Sequence, residues 1–306
     1  MQFNLLKVML NKLLFITLFI FVNCKGDIPS PDKNKSLIES RKNTDSLKIN
    51  YDSVVNEMKG MLSNDFIIKT NSCFVIAGNV SENKLQNIID NTIISAEECF
   101  YNNYFEKKPD EIIKIFLFND DKSYRLWAKR LYNDDEDLSP YGYYKSSQKA
   151  MLMNISTGLG TLVHELTHAF VRYDFPDIPS WFNEGLGSLY ERSSMINKEI
   201  KGHVNWRLPR LQESIKGKTY TSLENLVNTD DEEFYGKNSG FYYSQARYLC
   251  MLLQDKGLLV KFYKTFRDRF NEDNTGKKFL EEILNKNISD IDTEFKTWSL
   301  TLVLNN

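Results

Sequence analysis

Thr161-Leu162-Val163-His164-Glu165-Leu166-Thr167-His168 is the stretch from which the rest of the chain is read. It contains His-Glu-x-x-His, and the whole chain of 306 residues has only three histidines. On a helix, residues four apart lie one above the other on the same face. Two imidazoles so placed can hold one Zn²⁺, with the intervening glutamate beside the open coordination position. The surroundings read as helix. Gly158-Leu159-Gly160 is a flexible entry and Thr161 is the expected N-cap. Leu162, Leu166, Ala169, Phe170 and Tyr173 form an apolar stripe, flanked by Val163 and Val171. The stripe is expected to pin the helix to a sheet, leaving His164 and His168 to face a cleft. The helix must end before Pro176, because the residue preceding proline resists helical geometry.

A catalytic zinc takes three protein ligands and keeps a place for water. The third must come from elsewhere, since no further histidine follows at Ala169-Phe170-Val171 and the remaining His203 reads as a loop or cap residue. Glu184, in Pro179-Ser180-Trp181-Phe182-Asn183-Glu184-Gly185-Leu186-Gly187, is the better candidate. Ser180 is placed to cap a second helix, with Glu184 in its first turns. Gly185 and Gly187 have no side chains to hold that helix away from the first. Asp174, Asp177 and Glu191 are the alternatives, Glu191 also as a residue behind the ligands. Glu165 adjoins His164 and so cannot join the two histidines on the metal; it is placed to accept a proton from an attacking water. Tyr243, or its neighbour Tyr242, is the candidate donor to a developing oxyanion. Trp181 and Trp206 are expected to pack. Arg207 and Arg247 read as solvated, with a substrate carboxylate as the alternative contact.

His-Glu-x-x-His followed after a short turn by Pro-x-Trp-x-x-Glu-Gly resembles the gluzincin branch of the zincin metallopeptidases, in particular the peptidase MA-like families, many of them exported bacterial proteins. Gly240-Phe241-Tyr242-Tyr243-Ser244-Gln245-Ala246 extends the likeness, since such families carry a Tyr-x-Gln helix followed by an apolar stretch and a glycine, here Gly257. The resemblance covers residues 148–260. It implies a zincin-like fold, His164, His168 and Glu184 as zinc ligands, Glu165 as general base, and hydrolysis of peptide bonds. It also implies that the strand Lys149–Asn154 is a sheet edge to which an extended peptide can add. Other outcomes compatible with the same residues are a zinc amidase acting on cell-wall peptide and a non-catalytic binding lipoprotein of the cell envelope.

Further from the motif, residues 51–155 alternate strands and helices, which predicts a small mixed β-sheet covered by helices. Strands are expected at Phe66–Lys69, Cys73–Ala77, Ile112–Phe118, Gly142–Lys145 and Lys149–Asn154. A long helix is expected over 82–104 and another over 122–132, with an acidic solvated loop, Asp134-Asp135-Glu136-Asp137, beyond it. From Thr161 the pattern is almost wholly helical, with helices near 161–174, 180–193, 205–216, 222–227, 240–255, 257–271, 276–285 and 288–303. The fold class is therefore α+β: an α/β subdomain over 51–174 that ends in the His-Glu-x-x-His helix, then a mainly helical subdomain over 175–306.

Residues 1–23 read as a signal peptide, with Lys7 and Lys12 before the apolar run Leu13–Val22, which is too short to span a bilayer. Cys24 follows and resembles the lipidated cysteine of bacterial lipoproteins, which implies a membrane anchor and an exported protein facing the periplasm or the exterior. Residues 24–50 are polar and read as a tether. Cys73, Cys99 and Cys250 remain. Export permits a Cys73–Cys99 bridge, and Cys250 sits in an apolar run as a buried thiol. The formal net charge is -2, with 39 basic and 41 acidic residues well mixed, so no basic field points to nucleic acid.

Overall fold

The structure, a computed structural model, describes residues 51–134, 138–217 and 219–304. The expected leader, Cys24, the tether and the loop acids Asp135, Glu136 and Asp137 lie outside the described residues. The described part is mixed α and β, with one five-stranded sheet and many helices.

The strands are β1 (Ile67–Asn71), β2 (Phe74–Gly78), β3 (Ile113–Phe118), β4 (Gly142–Lys145) and β5 (Ala150–Asn154), in the spatial order β1-β2-β3-β5-β4. β2, β3 and β5 run parallel; β1 and β4 are antiparallel flanks. Parallel strands are normally covered on both faces, and the side-chain alternation shows both covers. Phe74, Ile76, Ile113, Ile115, Leu117, Met151 and Met153 point into one core. Val75, Ala77, Phe116, Phe118, Ala150 and Leu152 point into the other. The second face is closed by the helix α1 (residues 51–61) and by α4 (Asp121–Tyr132), through Met58, Tyr124 and Trp127. The expected edge role of β5 is not observed: β5 is paired on both sides, and the edge beside it is β4.

The first face is closed by a helical run from Glu82 to Asn103. It is α-helix at α2 (Glu82–Ile88), widens to a π turn at Ile89–Ile94 and returns to α-helix at α3 (Ser95–Asn103). The wider turn shifts the register so that Ile88, Ile89 and Ile93 all remain in the core. α5 (Gly160–Asp174) lies against this same core, which continues without a break into α6 (Ser180–Tyr190) and the later helices.

Beyond α6 the helical expectation needs correction. A hairpin of β6 (Ser193–Ile196) and β7 (Glu199–Gly202) intervenes. Its two-residue turn, Asn197-Lys198, has positive φ at both positions, as a tight hairpin turn demands. Asn102 and Asn103 donate to the Lys198 carbonyl, and the Gln254 amide pairs with both backbone groups of Gly202. There follow α7 (Leu208–Gly217), α8 (Leu223–Val227), a short unforeseen α9 (Asp231–Phe234), α10 (Ser239–Asp255), α11 (Leu259–Asp268), α12 (Lys277–Leu284) and α13 (Ile288–Thr301). No helix among the described residues is long and apolar enough to cross a membrane. Cys73, Cys99 and Cys250 are all buried free thiols, so the Cys73–Cys99 bridge does not form.

The C-terminus of α5 is fixed by Asp174, which is buried. Its Oδ1 accepts from the backbone N–H groups of Glu106 and Lys107, and its Oδ2 from Tyr263 and Arg267. This rules out Asp174 as a ligand, because every acceptor position is taken by structure. Burial alone raises such a carboxyl, but these donors outweigh it and hold the group below the ordinary aspartate range. Since the folded pKa lies below the unfolded value of about 3.9, the resulting stability is complete above that pH and is lost as pH falls through the folded pKa. Asp174→Ala, which leaves Arg267 without its buried partner, is expected to cost about 3–5 kcal/mol at neutral pH in urea unfolding. The milder Asp174→Asn should also be destabilised at neutral pH, and its midpoint should converge on that of wild type as the medium is acidified below about pH 4.

Candidate metal centre

The site is built where α5 and α6 cross. α5 begins at Gly160, one residue earlier than expected, and Thr161 does not cap it; no side chain does. A Cβ at Gly160 would collide with the Glu191 carbonyl at the end of α6, so only glycine fits where α5 starts. Ser180 likewise does not cap α6. Its hydroxyl donates to Asp231, tying α6 to α9.

Gly187 is where α6 packs against the two histidines. A Cβ there would stand 3.0 Å from His164 Nε2 and 3.0 Å from His168 Cε1. Gly185 plays a different part from the one expected. Its missing Cβ faces α10, where it would meet Cys250 Sγ at 2.8 Å and the Ala246 carbonyl oxygen at 3.0 Å. Glu184, three residues before Gly187, shares that residue's face of α6. It is buried with only 7% exposure, and its Oε2 lies 3.2 Å from His164 Nε2 and 3.4 Å from His168 Nε2. The two imidazole rings stand nearly perpendicular, with centroids 4.6 Å apart.

Glu184 Oε2 is a buried oxygen with no hydrogen-bond donor. A carboxylate oxygen left so is costly unless a cation neutralises it. Three ligand atoms at zinc bond lengths of about 2.0–2.1 Å in tetrahedral array stand about 3.3 Å from one another. The separations of Glu184 Oε2 from the two imidazoles match that edge, so the donor set fits a metal of this size. Among the described residues, His164, His168 and Glu184 are the group whose ligand atoms lie close enough together, within 4.8 Å of one another, to share a metal ion.

The surrounding contacts orient these atoms. Tyr235 donates to Glu184 Oε1 at 2.9 Å, which leaves Oε2 as the oxygen facing both histidines. His168 Nδ1 meets Asn183 Oδ1 at 2.9 Å, which turns Nε2 towards Glu184. Neither Tyr235 nor Asn183 is foreseen in the sequence. For Tyr235 the available signal is Asp230-x-x-Glu233, a capping pattern, and Asp230 does accept from the Glu233 N–H to start α9. With no cation beside it, burial disfavours a charge on His168, but Glu184 outweighs burial and raises its pKa to about 9. Burial raises the Glu184 carboxyl too, yet the histidines drive it well below its ordinary range. A metal ion binding here displaces the imidazole proton.

Glu165 is half-buried on the neighbouring face. Burial pushes its carboxyl up, and His164 and His168 oppose that. Of the two tyrosines on α10, Tyr243 lies close enough to feel the Glu184 charge, while Tyr242 donates to Glu233 and is excluded. Burial first, and then the Glu184 charge, push the Tyr243 hydroxyl up, so it stays a donor.

Other candidates fall elsewhere. His203 is exposed at the end of the hairpin, paired with Ser194. Glu191 pairs with Arg207 rather than standing behind a ligand. Arg247 is wholly buried, not solvated, and donates to the His203 carbonyl. Asp134, the described member of the acidic loop, is tied to Lys145 and Tyr143 instead of being solvated. Trp181 packs as expected, but Trp206 is 61% exposed.

No model of a known protein family matches the chain, and no curated protein matches it.

Two substitutions that leave all three candidate ligands in place are expected to weaken the metal. Gly187→Ala forces a methyl against both imidazoles, and Tyr235→Phe frees Glu184 to rotate. Each should lower zinc affinity by about 10–100-fold in competition with a chromophoric chelator, with little change in the thermal unfolding of the metal-free Tyr235→Phe protein.

Proposed function

We propose that the protein is a zinc-dependent metallopeptidase of zincin-like fold and gluzincin type, exported and anchored to the bacterial cell envelope through a lipid on Cys24. The observation that carries the catalytic part is Glu184 Oε2, a buried carboxylate oxygen without a donor, 3.2 Å and 3.4 Å from the two motif histidines. Two of the three ligand atoms come from one helix and the third from another, and a three-ligand set leaves the fourth position for water, as in catalytic rather than structural zinc sites.

Zinc, when bound, acidifies a water and polarises a peptide carbonyl. The rest of the chemistry falls to side chains. Glu165 takes a proton from the attacking water and delivers it to the leaving amine as the C–N bond breaks, so the same carboxyl serves as base and then as acid. Tyr243 supplies a neutral hydroxyl to the oxygen that gains charge as water adds to the carbonyl. An extended peptide adds to β4, the edge strand next to Glu165, instead of to β5.

Purified protein is expected to hold about one zinc, and chelation is expected to abolish cleavage of an unfolded protein substrate. Glu165→Gln should retain the zinc and lose at least about 10²–10⁴-fold in kcat. Undiminished hydrolysis by that variant, measured on a metal-replete sample, would overturn the mechanism. Tyr243→Phe is expected to lower kcat by about 10²-fold with KM little changed; a change confined to KM would assign Tyr243 to substrate binding instead.

A further inference from the structure

A cleft of about 380 Å³ opens beside the start of α5, with Tyr141, Gly160, Thr161, Trp206 and Leu304 among its walls. Two of these residues fix its place. Tyr141 immediately precedes β4, the edge strand, and its carbonyl still pairs with the Asn154 N–H of β5. A peptide laid along β4 therefore meets the cleft as it passes Gly142. Thr161 precedes His164 by three residues, one helical turn from the first candidate ligand. The cleft thus continues, past one end of β4, the path that a peptide takes beside the metal centre.

Leu304 belongs to none of the elements that build the metal centre. It lies in the segment that leaves α13, where the backbone at Leu302 is extended, with φ -69° and ψ 147°. Leu302 and Leu304 turn inward against the core, while Val303 between them is 68% exposed. That is the side-chain alternation of an extended chain. Gln212 of α7 clamps the root of the segment, its Nε2 donating to the carbonyls of Ser299 and Leu302 at 2.9 Å and 3.0 Å. Beyond Leu302 the clamp ends. Among the described residues no hydrogen bond involves Val303 or Leu304, so apolar contact alone seats Leu304 in the cleft. The charged groups of the wall are not free to hold a chain there either, since Glu191 pairs with Arg207 and Arg192 has a partner of its own. A partly buried leucine with no hydrogen bond behind it is displaced at small cost, and another apolar residue can take its place.

We propose that Leu302–Leu304 is an autoinhibitory strap: Leu304 occupies the end of the peptide path beyond β4, and a peptide long enough to run past Gly142 has to displace it. The proposal rests on the peptidase reading for the peptide being a substrate, but not for the competition itself. A strap of this kind lowers the apparent affinity for long peptides by the fraction of molecules in which it is lifted. Peptides that stop within β4 do not meet it.

The test uses the zinc-loaded Glu165→Gln protein, which binds without turnover, and isothermal titration calorimetry with two peptides. One is an amide of four residues, the length of β4. The other is an unstructured amide of about ten residues with the same four at its centre, so that it overhangs β4 at both ends. In this background Leu304→Ser, which removes the apolar contact, is expected to tighten binding of the longer peptide about 5–10-fold and to leave the shorter one unchanged. Gln212→Ala, which frees the root of the segment from outside the cleft, should act in the same direction, and a gain in affinity does not arise from damaged folding. Weaker binding of the longer peptide by Leu304→Ser overturns the proposal, because Leu304 would then be a wall on which the peptide rests. Unchanged binding overturns it too, as does a gain shared by both peptides or a failure of every variant to bind either one. If both variants gain on the longer peptide while wild type cleaves neither, the strap stands and the peptidase reading falls. If wild type cleaves both peptides and the variants gain nothing, the peptidase reading stands and the strap falls.

Discussion

The close contact of α6 with the two imidazoles, made possible by the bare Cα of Gly187, is the constraint on which the site depends. Any side chain at that position would press on His164 and His168. With the helices this close, a carboxylate one turn earlier on α6 has no room to avoid the histidines, and Glu184 is delivered to both of them. Its burial then sets the chemistry. A negative charge in an apolar crossing is unfavourable alone, and the two histidines are what make it tolerable. The apolar stripe of α5 and the aromatic packing of Phe182 against Phe262 and Phe266 hold the two helices in that relation.

Two buried carboxylates on neighbouring helices show how structure and function divide. Asp174 has both oxygens filled, by two backbone N–H groups, a phenol and a guanidinium. Nothing is left for it to bind. Glu184 has one oxygen filled by Tyr235 and the other empty of donors, and the empty one faces the histidines. Burial is the same for both groups within a few per cent, at 1% and 7% exposure. What separates a structural acid from a candidate ligand here is the unfilled lone pair, which the sequence does not reveal.

Much of this is legible in the sequence, and what is not has physical causes. The five strands of the sheet and the crossing of α5 with α6 follow from apolar periodicity and from the Gly and Pro positions around them. His164, His168 and Glu184 meet as the spacing suggests. The edge of the sheet is hidden because β4 and β5 are both short, at four and five residues, and order across a sheet is set by long-range pairing that local pattern does not encode. The β6–β7 hairpin is hidden because its strands are four residues each and its turn is Asn-Lys, without the glycine that usually marks such turns. Tyr235 is remote in sequence from Glu184 and follows a helix of four residues, so no periodicity points to it. Trp206 reads as a core residue by type, yet it is exposed in the turn between the hairpin and α7.

The two glycines of α6 face opposite ways, Gly187 against the histidines of α5 and Gly185 against Cys250 and Ala246 of α10. The helix is therefore wedged with its backbone in contact on both sides, and it has no slack in either direction. Bulk added at residue 250, a position that touches neither metal ligand nor substrate, has only one way to be absorbed, by moving α6 towards α5. In a family of such proteins, the size of the side chain at that remote position would be expected to vary together with whatever occupies position 185, as a mechanical pair behind the metal centre.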